Sequence, residues 1–341
     1  MTSNLMKAAR VHKRGPSVFE LDSIPVPEPS PGQLLIRVES AGVNFSDVKR
    51  RRGDAYPFPT EFPFTPGGEI SGTVEAHGPG VDGPPVGTKV FALAGPTGFG
   101  GYAQYAVSYA ATAMLIPEGL SFDVASTLLI AGSTAKLILT ESARLQSGES
   151  ILIPAATGGV GSFAIQLARQ IGAGKIIAAV SSEAKCKLAR SLGAHEAINS
   201  SLANWPTAVL ASTGGRGVDV ALEATGGPSL IETLSCLAPF GRLVVYGAAS
   251  GISSTLDAAA AEKIFYSPAP NQSIMGFNIG GWFMDRPRVA GGALYELLQD
   301  VVAGKIQIPQ ITTLPLAEAS LAHNLLEQRK TEGKLVLKPW D

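Results

Sequence analysis

A short apolar run that ends in glycines and leads straight into an amphipathic segment narrows the possible folds more than any other stretch. Ile151-Leu152-Ile153-Pro154 precedes Ala155-Ala156-Thr157-Gly158-Gly159-Val160-Gly161. Val160, Ala164, Leu167, Ala168 and Ile171 then recur at helical spacing. Strand, tight glycine turn and helix form the layout that binds a pyrophosphate. The start of the helix offers unpaired backbone N–H groups and a positive dipole end. Glycines let the backbone approach the phosphate, which a Cβ would hold away. The usual first glycine of that fingerprint is replaced by alanine here. Taken alone, the loop is therefore a weak signal, and a purely structural turn is the alternative.

Context decides between the two. From about residue 122 apolar strands and helices alternate. Ile176–Val180, a short strand near Ala197, Val218–Leu222 and Arg242–Tyr246 read as strands. Glu183–Leu192, Leu202–Leu210 and Pro228–Leu237 read as helices, as does Phe122–Ala143 with a break near Gly132. Such alternation predicts an α/β fold with a doubly wound parallel sheet covered on both faces. Before residue 115 the pattern differs, with short strands at 5–11, 18–24, 34–39, 70–76, 89–92 and 102–107 between Pro- and Gly-rich turns. This predicts a compact β-rich domain. Residues 268–290 read as a Pro- and Gly-rich loop, helices follow near 288–302 and 317–328, and Lys334–Leu337 is a closing strand. The expected division is 1–124 with 269–341 for the β-rich domain, and 125–268 for the nucleotide-binding domain.

A length of 341 residues suits two such domains. The formal net charge of −1 provides no basic field for nucleic acid and no polybasic membrane patch. The first residues lack an apolar signal core, and no run reads as a membrane span. A cytoplasmic location is the expectation. Cys186 and Cys236 are far apart and lack ligand-like neighbours, which argues against a disulfide framework or a zinc cluster. His12, His77, His195 and His323 read as surface or turn residues.

The second strand of the nucleotide unit ends in Ser181-Ser182, with Lys185 one helical turn on. Enzymes that hold the ribose of NAD usually place a carboxylate there. Two hydroxyls and an ammonium suit a 2′-phosphate instead, so the expected cofactor is NADP(H). The alternative for Lys185 is a solvated surface lysine.

Several motifs in order resemble the medium-chain dehydrogenase/reductase superfamily, most closely its zinc-free quinone oxidoreductase (zeta-crystallin) branch. They are Gly42-Val43-Asn44-Phe45-Ser46-Asp47, Pro66-Gly67-Gly68-Glu69-Ile70-Ser71-Gly72, Thr134-Ala135, Ala155–Gly161, Leu192-Gly193-Ala194, Gly217-Val218-Asp219-Val220, Gly241-Arg242-Leu243-Val244 and Thr331–Leu337. The resemblance covers essentially the whole chain. It implies a Rossmann sheet plus a GroES-like domain, and a homodimer joined at the sheet edge near residues 242–256. Zinc enzymes of the superfamily carry Cys where this chain has Asn44 and His where it has Gly68, so the resemblance implies no metal.

The implied activity is hydride transfer from NADPH to a small-molecule quinone or α,β-unsaturated carbonyl. An enoyl-thioester or alkenal reductase and a non-enzymatic cofactor-binding protein are the alternatives. Gly158, Gly159 and Val160 are implied to face the pyrophosphate, and Ser181, Ser182 and Lys185 the 2′-phosphate. Ser200 stands where relatives carry an aromatic at the adenine end. Thr134, Asn44, Gly247, Phe277 and Lys334 are implied near the nicotinamide. Asn44, Asp47 and Lys49 are the catalytic candidates. Asn44 is expected to position a carbonyl, and Asp47 either donates a proton or caps its helix. Lys49 and Lys136 replace tyrosines of the family and point into the pocket or to solvent. Arg50, Arg51 and Arg52 read as a solvated face.

Overall fold

The computed structural model describes residues 4–15, 19–54, 56, 59–251, 255–266 and 271–341. The chain divides into two compact units, Met1–Ala131 with Gln310–Asp341, and Gly132–Pro309. In chain order the first unit contributes β1 (Leu5–Val11), β2 (Phe19–Pro25), β3 (Gln33–Val43), β4 (Glu69–His77), β5 (Lys89–Leu93), β6 (Tyr105–Tyr109) and β7 (Met114–Leu115). The second contributes β8 (Ser150–Pro154), β9 (Lys175–Val180), β10 (Glu196–Asn199), β11 (Val218–Glu223), β12 (Leu237–Val245) and β13 (Ser273–Gly276). The chain returns to the first unit with β14 (Ile311–Pro315) and β15 (Lys334–Lys338).

The first unit is a seven-stranded sheet of order β14-β15-β3-β4-β5-β7, with β6 on β3 and a separate β1-β2 hairpin. Its organising strand is β3, whose Leu34, Ile36 and Val38 alternate into a core with Ile70, Val74, Val90 and Leu337. Strand β15 pairs with the end of β3 in the register Leu335↔Val43. That register sets Lys334, 290 residues away in sequence, beside Asn44.

The second unit is the expected doubly wound sheet, six strands in the order β10-β9-β8-β11-β12-β13, all parallel. Leu152, Ile177, Ala179, Ala221 and Leu243 are buried in it, consistent with helical cover. Strand β13 was not foreseen, because four residues in a Pro- and Gly-rich stretch carry too little pattern. It adds to β12 and, together with the helix Pro287–Val302, keeps residues up to Pro309 with the second unit rather than the first. It also moves the free edge of the sheet. Residues Arg242–Val245 are paired on both sides, so the edge is β13, and residues 252–254 of the expected dimer edge lie outside the described residues.

Gly132 does not break the helical stretch Phe122–Ser142. The stretch continues through π turns at Leu128–Gly132 and Ile138–Ser142 around a regular turn at Ser133–Leu137. Gly132 is small for a packing reason, since a Cβ there would lie 2.3 Å from Leu297 Cδ2. Contrary to the expectation, this stretch is long and apolar enough to cross a membrane, with mean hydropathy 1.4, but 72% of it is buried inside the protein. It is a core helix.

Candidate functional site

One edge of the second unit gathers most of the expected binding residues. All its strands run the same way, so their carboxyl ends share an edge. Gly158, Gly159 and Val160 follow β8, where Gly158 caps the helix Gly159–Ile171. Ser181 and Ser182 follow β9 and Ser200 follows β10, with Asn199 paired to Val180 in the ladder. The backbone N–H and Oγ of Ser200 both donate to the Val180 carbonyl. Gly247 follows β12, and a Cβ on it would lie 3.0 Å from the Ala224 carbonyl oxygen after β11. Phe277 follows β13, donates its N–H to Val245 and stacks on Trp282 at 6.2 Å. Thr134 is buried on the helix Ser133–Leu137, which packs against the glycine-capped helix.

The glycine turn fits a dinucleotide pyrophosphate. Ala155 takes φ +50°, the left-handed conformation that its glycine counterpart would adopt freely. A Cβ on Gly161 would meet the Ala155 oxygen at 2.6 Å and Ala156 Cα at 2.6 Å, both backbone. Only glycine lets the turn fold over the first helical residues and leaves their N–H groups uncovered. At the next strand end, Ser182 accepts the Lys185 N–H at 3.3 Å and so caps the helix Glu183–Ser191. Among the described residues the hydroxyl hydrogen of Ser182 has no acceptor. Lys185 is half-buried.

Sequence reasoning missed Glu223 at the end of β11. It is fully buried and accepts from the N–H groups of Thr225 and Gly226 and the hydroxyls of Ser229 and Thr233. Four donors hold the Ala224–Pro228 turn on this carboxylate. The Glu-Ala-Thr-Gly-Gly run after an apolar strand was its sequence signal.

The first unit contains a second turn, around Asn44. Asn44 is the N-cap residue of the helix Phe45–Arg52, and the Asp47 carboxylate reaches back to its N–H while the Asp47 N–H goes to the Asn44 backbone carbonyl. Its Nδ2 donates to Glu69 Oε2 at 2.8 Å and to the Gly42 carbonyl at 3.4 Å. Its Oδ1 accepts from Lys334 Nζ at 2.7 Å. Lys334 also donates to Glu69 Oε2 and to the Val43 carbonyl, both at 3.3 Å. Glu69 is fully buried and its other oxygen accepts the Ile130 N–H. Every proton of the ammonium and of the Asn44 amide is committed. Asn44 therefore has no free N–H for a substrate carbonyl; it keeps one lone pair of Oδ1.

These residues do not fit a zinc site, which needs neutral or anionic N, O or S donors. Here an amide, a carboxylate and a protonated amine face one another. Where zinc enzymes carry a histidine, a Cβ on Gly68 would stand 3.1 Å from the Gly98 carbonyl. Arg50 fixes that loop by donating to the carbonyls of Thr97 and Gly98.

Asp47 lies beneath the same turn. Its Oδ2 accepts the Asn44 N–H at 2.9 Å and the Tyr102 hydroxyl at 3.3 Å, and its Oδ1 accepts the Gly67 N–H at 3.2 Å. Burial pushes its carboxyl up to about 6. The Tyr102 hydroxyl also meets His323 Nε2 at 3.2 Å. His323 is not a surface residue; it is fully buried, and desolvation with the Arg51 charge lowers it to about 3. Nor do the arginines form a solvated face. Arg50 is buried against the rings of Tyr56, Phe64 and Phe99, and Arg51 is buried and pairs with Glu327 at 2.5 Å. The helix Phe45–Arg52 packs on the helix Ala319–Glu327, whose Glu327 carboxylate takes both Arg51 and Arg52. Lys49 is half-buried on that helix. Lys136 pairs with Glu296 at 2.9 Å.

Comparison with known proteins places these features in a family. Residues 30–118 match the alcohol dehydrogenase GroES-like domain, and residues 159–291 match the zinc-binding dehydrogenase domain. A 2-haloacrylate reductase from a Burkholderia species is 33% identical over 98% of this chain and 99% of its own. A quinone oxidoreductase from Pseudomonas aeruginosa is 34% identical over 95% of this chain and 97% of its own. Among solved structures, the Escherichia coli quinone oxidoreductase complexed with NADPH superposes with TM-score 0.90 at 26% identity, covering 98% of this chain and 100% of that one. A mycobacterial protein complexed with NADPH gives TM-score 0.88 at 31% identity over 98% of this chain and 100% of its own.

Proposed function

Because the chain belongs to the quinone oxidoreductase type of the medium-chain dehydrogenase/reductase family, we propose that it is an NADPH-dependent reductase acting on a small quinone or α,β-unsaturated carbonyl without zinc. The observation that carries this reading is the glycine turn, whose backbone a single Cβ at Gly161 would obstruct, in a chain whose full-length relatives are reductases. NADPH, when bound, supplies the hydride. Gly159 and Val160 hold the pyrophosphate with backbone N–H groups at the helix start, and Gly158, whose own N–H is donated to the Ala155 carbonyl, lines the turn beside them. Ser181, Ser182 and Lys185 take the 2′-phosphate, with Ser182 donating the hydroxyl hydrogen that capping leaves free. Ser200 lies beside them on the next strand end and takes the adenine side. Gly247 and Phe277 bound the nicotinamide side of the edge, and Thr134 contacts the nicotinamide half.

In the first unit Asn44 acts by acceptance. Its remaining Oδ1 lone pair takes a hydroxyl of the bound reactants, while Lys334 and Glu69 fix the amide plane. Lys334, its charge balanced by Glu69 and its three protons committed, holds the Asn44 carbonyl oxygen in one orientation. Asp47 positions Asn44 through its backbone N–H. Lys49, half-buried on the same helix, is the candidate cation for an anionic substrate. The enzyme is further read as a cytoplasmic homodimer joined along β13, whose outer edge is unpaired among the described residues; light scattering on the purified protein tests that state.

Oxidation of NADPH followed with a naphthoquinone, a short alkenal and a 2-haloacrylate tests the activity. Turnover of at least one at the family's usual scale, with NADPH preferred over NADH, is expected. No oxidation with any of them, or no binding of either reduced nucleotide, overturns the reading.

A further inference from the structure

We propose that Tyr102 and His323 are positioning residues of this enzyme, forming with Asp47 a buried proton-responsive support for the Asn44 turn. The inference rests on the reductase reading above only in assigning that turn a role in the reaction. The geometry itself is a continuous chain. Asn44 N–H and Gly67 N–H both end on Asp47, the Tyr102 hydroxyl bridges Asp47 Oδ2 and His323 Nε2, and His323 Nδ1 is buried without a hydrogen-bond partner. All three side chains are essentially closed to solvent. One carboxylate thus ties together the two turns that carry Asn44 and Gly68.

The proton count fixes the direction of each bond. With Asp47 ionised, the Tyr102 hydroxyl donates to it. The phenol oxygen then accepts, so neutral His323 must carry its hydrogen on Nε2, and Nδ1 is a bare lone pair. Adding one proton reverses the chain. Protonated Asp47 donates to the Tyr102 oxygen, Tyr102 donates to Nε2, and the hydrogen of His323 moves to Nδ1. No group other than Asp47 changes charge. In this second state Oδ2 is a hydroxyl oxygen and accepts the Asn44 N–H less strongly than a carboxylate does.

Several charges bear on this chain. Lys334 from β15 and the Tyr102 hydroxyl favour the ionised carboxyl, while burial opposes it. Glu69 on β4, Tyr56, and Arg50 and Arg51 on the helix of Asp47 complete the surroundings. Burial, aided by the Arg51 charge, keeps His323 neutral. The carboxyl stands at about 6, so the reversal falls within the range where the enzyme can be assayed.

Two experiments decide the proposal. In Tyr102→Phe the ring remains and the carboxylate loses a donor. The acid limb of the pH profile of kcat/KM is expected to move up by about half to one pH unit. Activity on the alkaline plateau is expected to fall less than about threefold, because the charge-assisted backbone bonds remain. His323→Leu moves the limb in the same direction, and His323→Gln, which keeps an N–H donor, restores it. A limb that stays in place in Tyr102→Phe overturns the proposal, even if plateau activity falls. In the unmodified protein, hydrogen exchange of the Asn44 and Gly67 amides is measured between pH 5 and 7.5 and corrected for intrinsic exchange. Protection of both is expected to drop several-fold below pH 6, and protection independent of pH overturns the proposal. The exchange arm needs no substrate. Absence of reductase activity would therefore remove the functional reading and leave this inference to be judged on the amides alone.

Discussion

Two turns in this chain start helices, and they are built in opposite ways. The Ala155–Gly161 turn is stripped of side chains until backbone presses on backbone, leaving N–H groups uncovered. The Asn44–Asp47 turn is packed with polar side chains until every proton has an acceptor. The first can bind by backbone, and its chemistry depends on what is missing. The second holds one amide in one orientation, and its chemistry depends on a buried balance of Lys334 against Glu69. A stripped turn fails when an atom is added; a packed turn fails when one is taken away.

The sharpest way to break that contrast is Gly161→Val. Backbone atoms at 2.6 Å cannot move aside, so NADPH affinity is expected to fall about 100-fold or more by titration, with a stability loss of ~1–3 kcal/mol. Unchanged affinity would mean the turn tolerates filling. Next in size is Lys334→Met, which leaves buried Glu69 without its cation. Such a loss costs about 3–5 kcal/mol, read by denaturant melts. Adding Glu69→Gln is expected to recover much of it; purely additive losses would show that the two charges do not act as a pair.

Acid titration separates the members of the packed turn. His323 sits at about 3 when folded against an ordinary 6.5, so its contribution is full above pH 6.5 and is lost as pH falls toward 3. Asp47 sits at about 6 against 3.8, so its contribution is full below pH 3.8 and is lost as pH rises through 6. Between pH 4 and 6 the two oppose each other. The melting temperature of the unmodified protein minus that of His323→Gln is expected to grow from pH 4.5 to 6.5, and minus that of Asp47→Asn to shrink. Differences of the same sign would refute the two titrations. The smallest effect belongs to the second strand end. Ser182→Ala is expected to cost ~1 kcal/mol of helix capping, and Lys185→Ala to weaken NADPH relative to NADH. Equal loss for both nucleotides would argue that neither residue reads the 2′-phosphate.

Local pattern made the parallel sheet, the glycine turn and the paired serines readable in the sequence, because each lies within one strand–turn–helix unit and obeys its period. Asn44, Glu69 and Lys334 were likewise visible as members of motifs. Their mutual saturation was not, since it depends on β15 pairing with β3 across nearly the whole chain. Strand β13 escaped notice because four residues next to prolines have no period to read. The arginines of Phe45–Arg52 were misread for a related reason. A basic run normally faces water, and only the rings of Tyr56, Phe64 and Phe99 and the carboxylate of Glu327 turned it inward.

By itself, then, the amino-acid order determined the architecture and the nucleotide edge, because both follow from hydrophobic period and from the places where a Cβ is excluded. Tertiary structure alone decided which ionisable groups are buried and whom they face. His323 and Tyr102 carry no local signal, and their meeting with Asp47 exists only where a helix from the end of the chain closes on the helix Phe45–Arg52 and on the bend at Tyr102. Burial sets the charge of such groups through solvation, and solvation is a property of the packed molecule rather than of any segment.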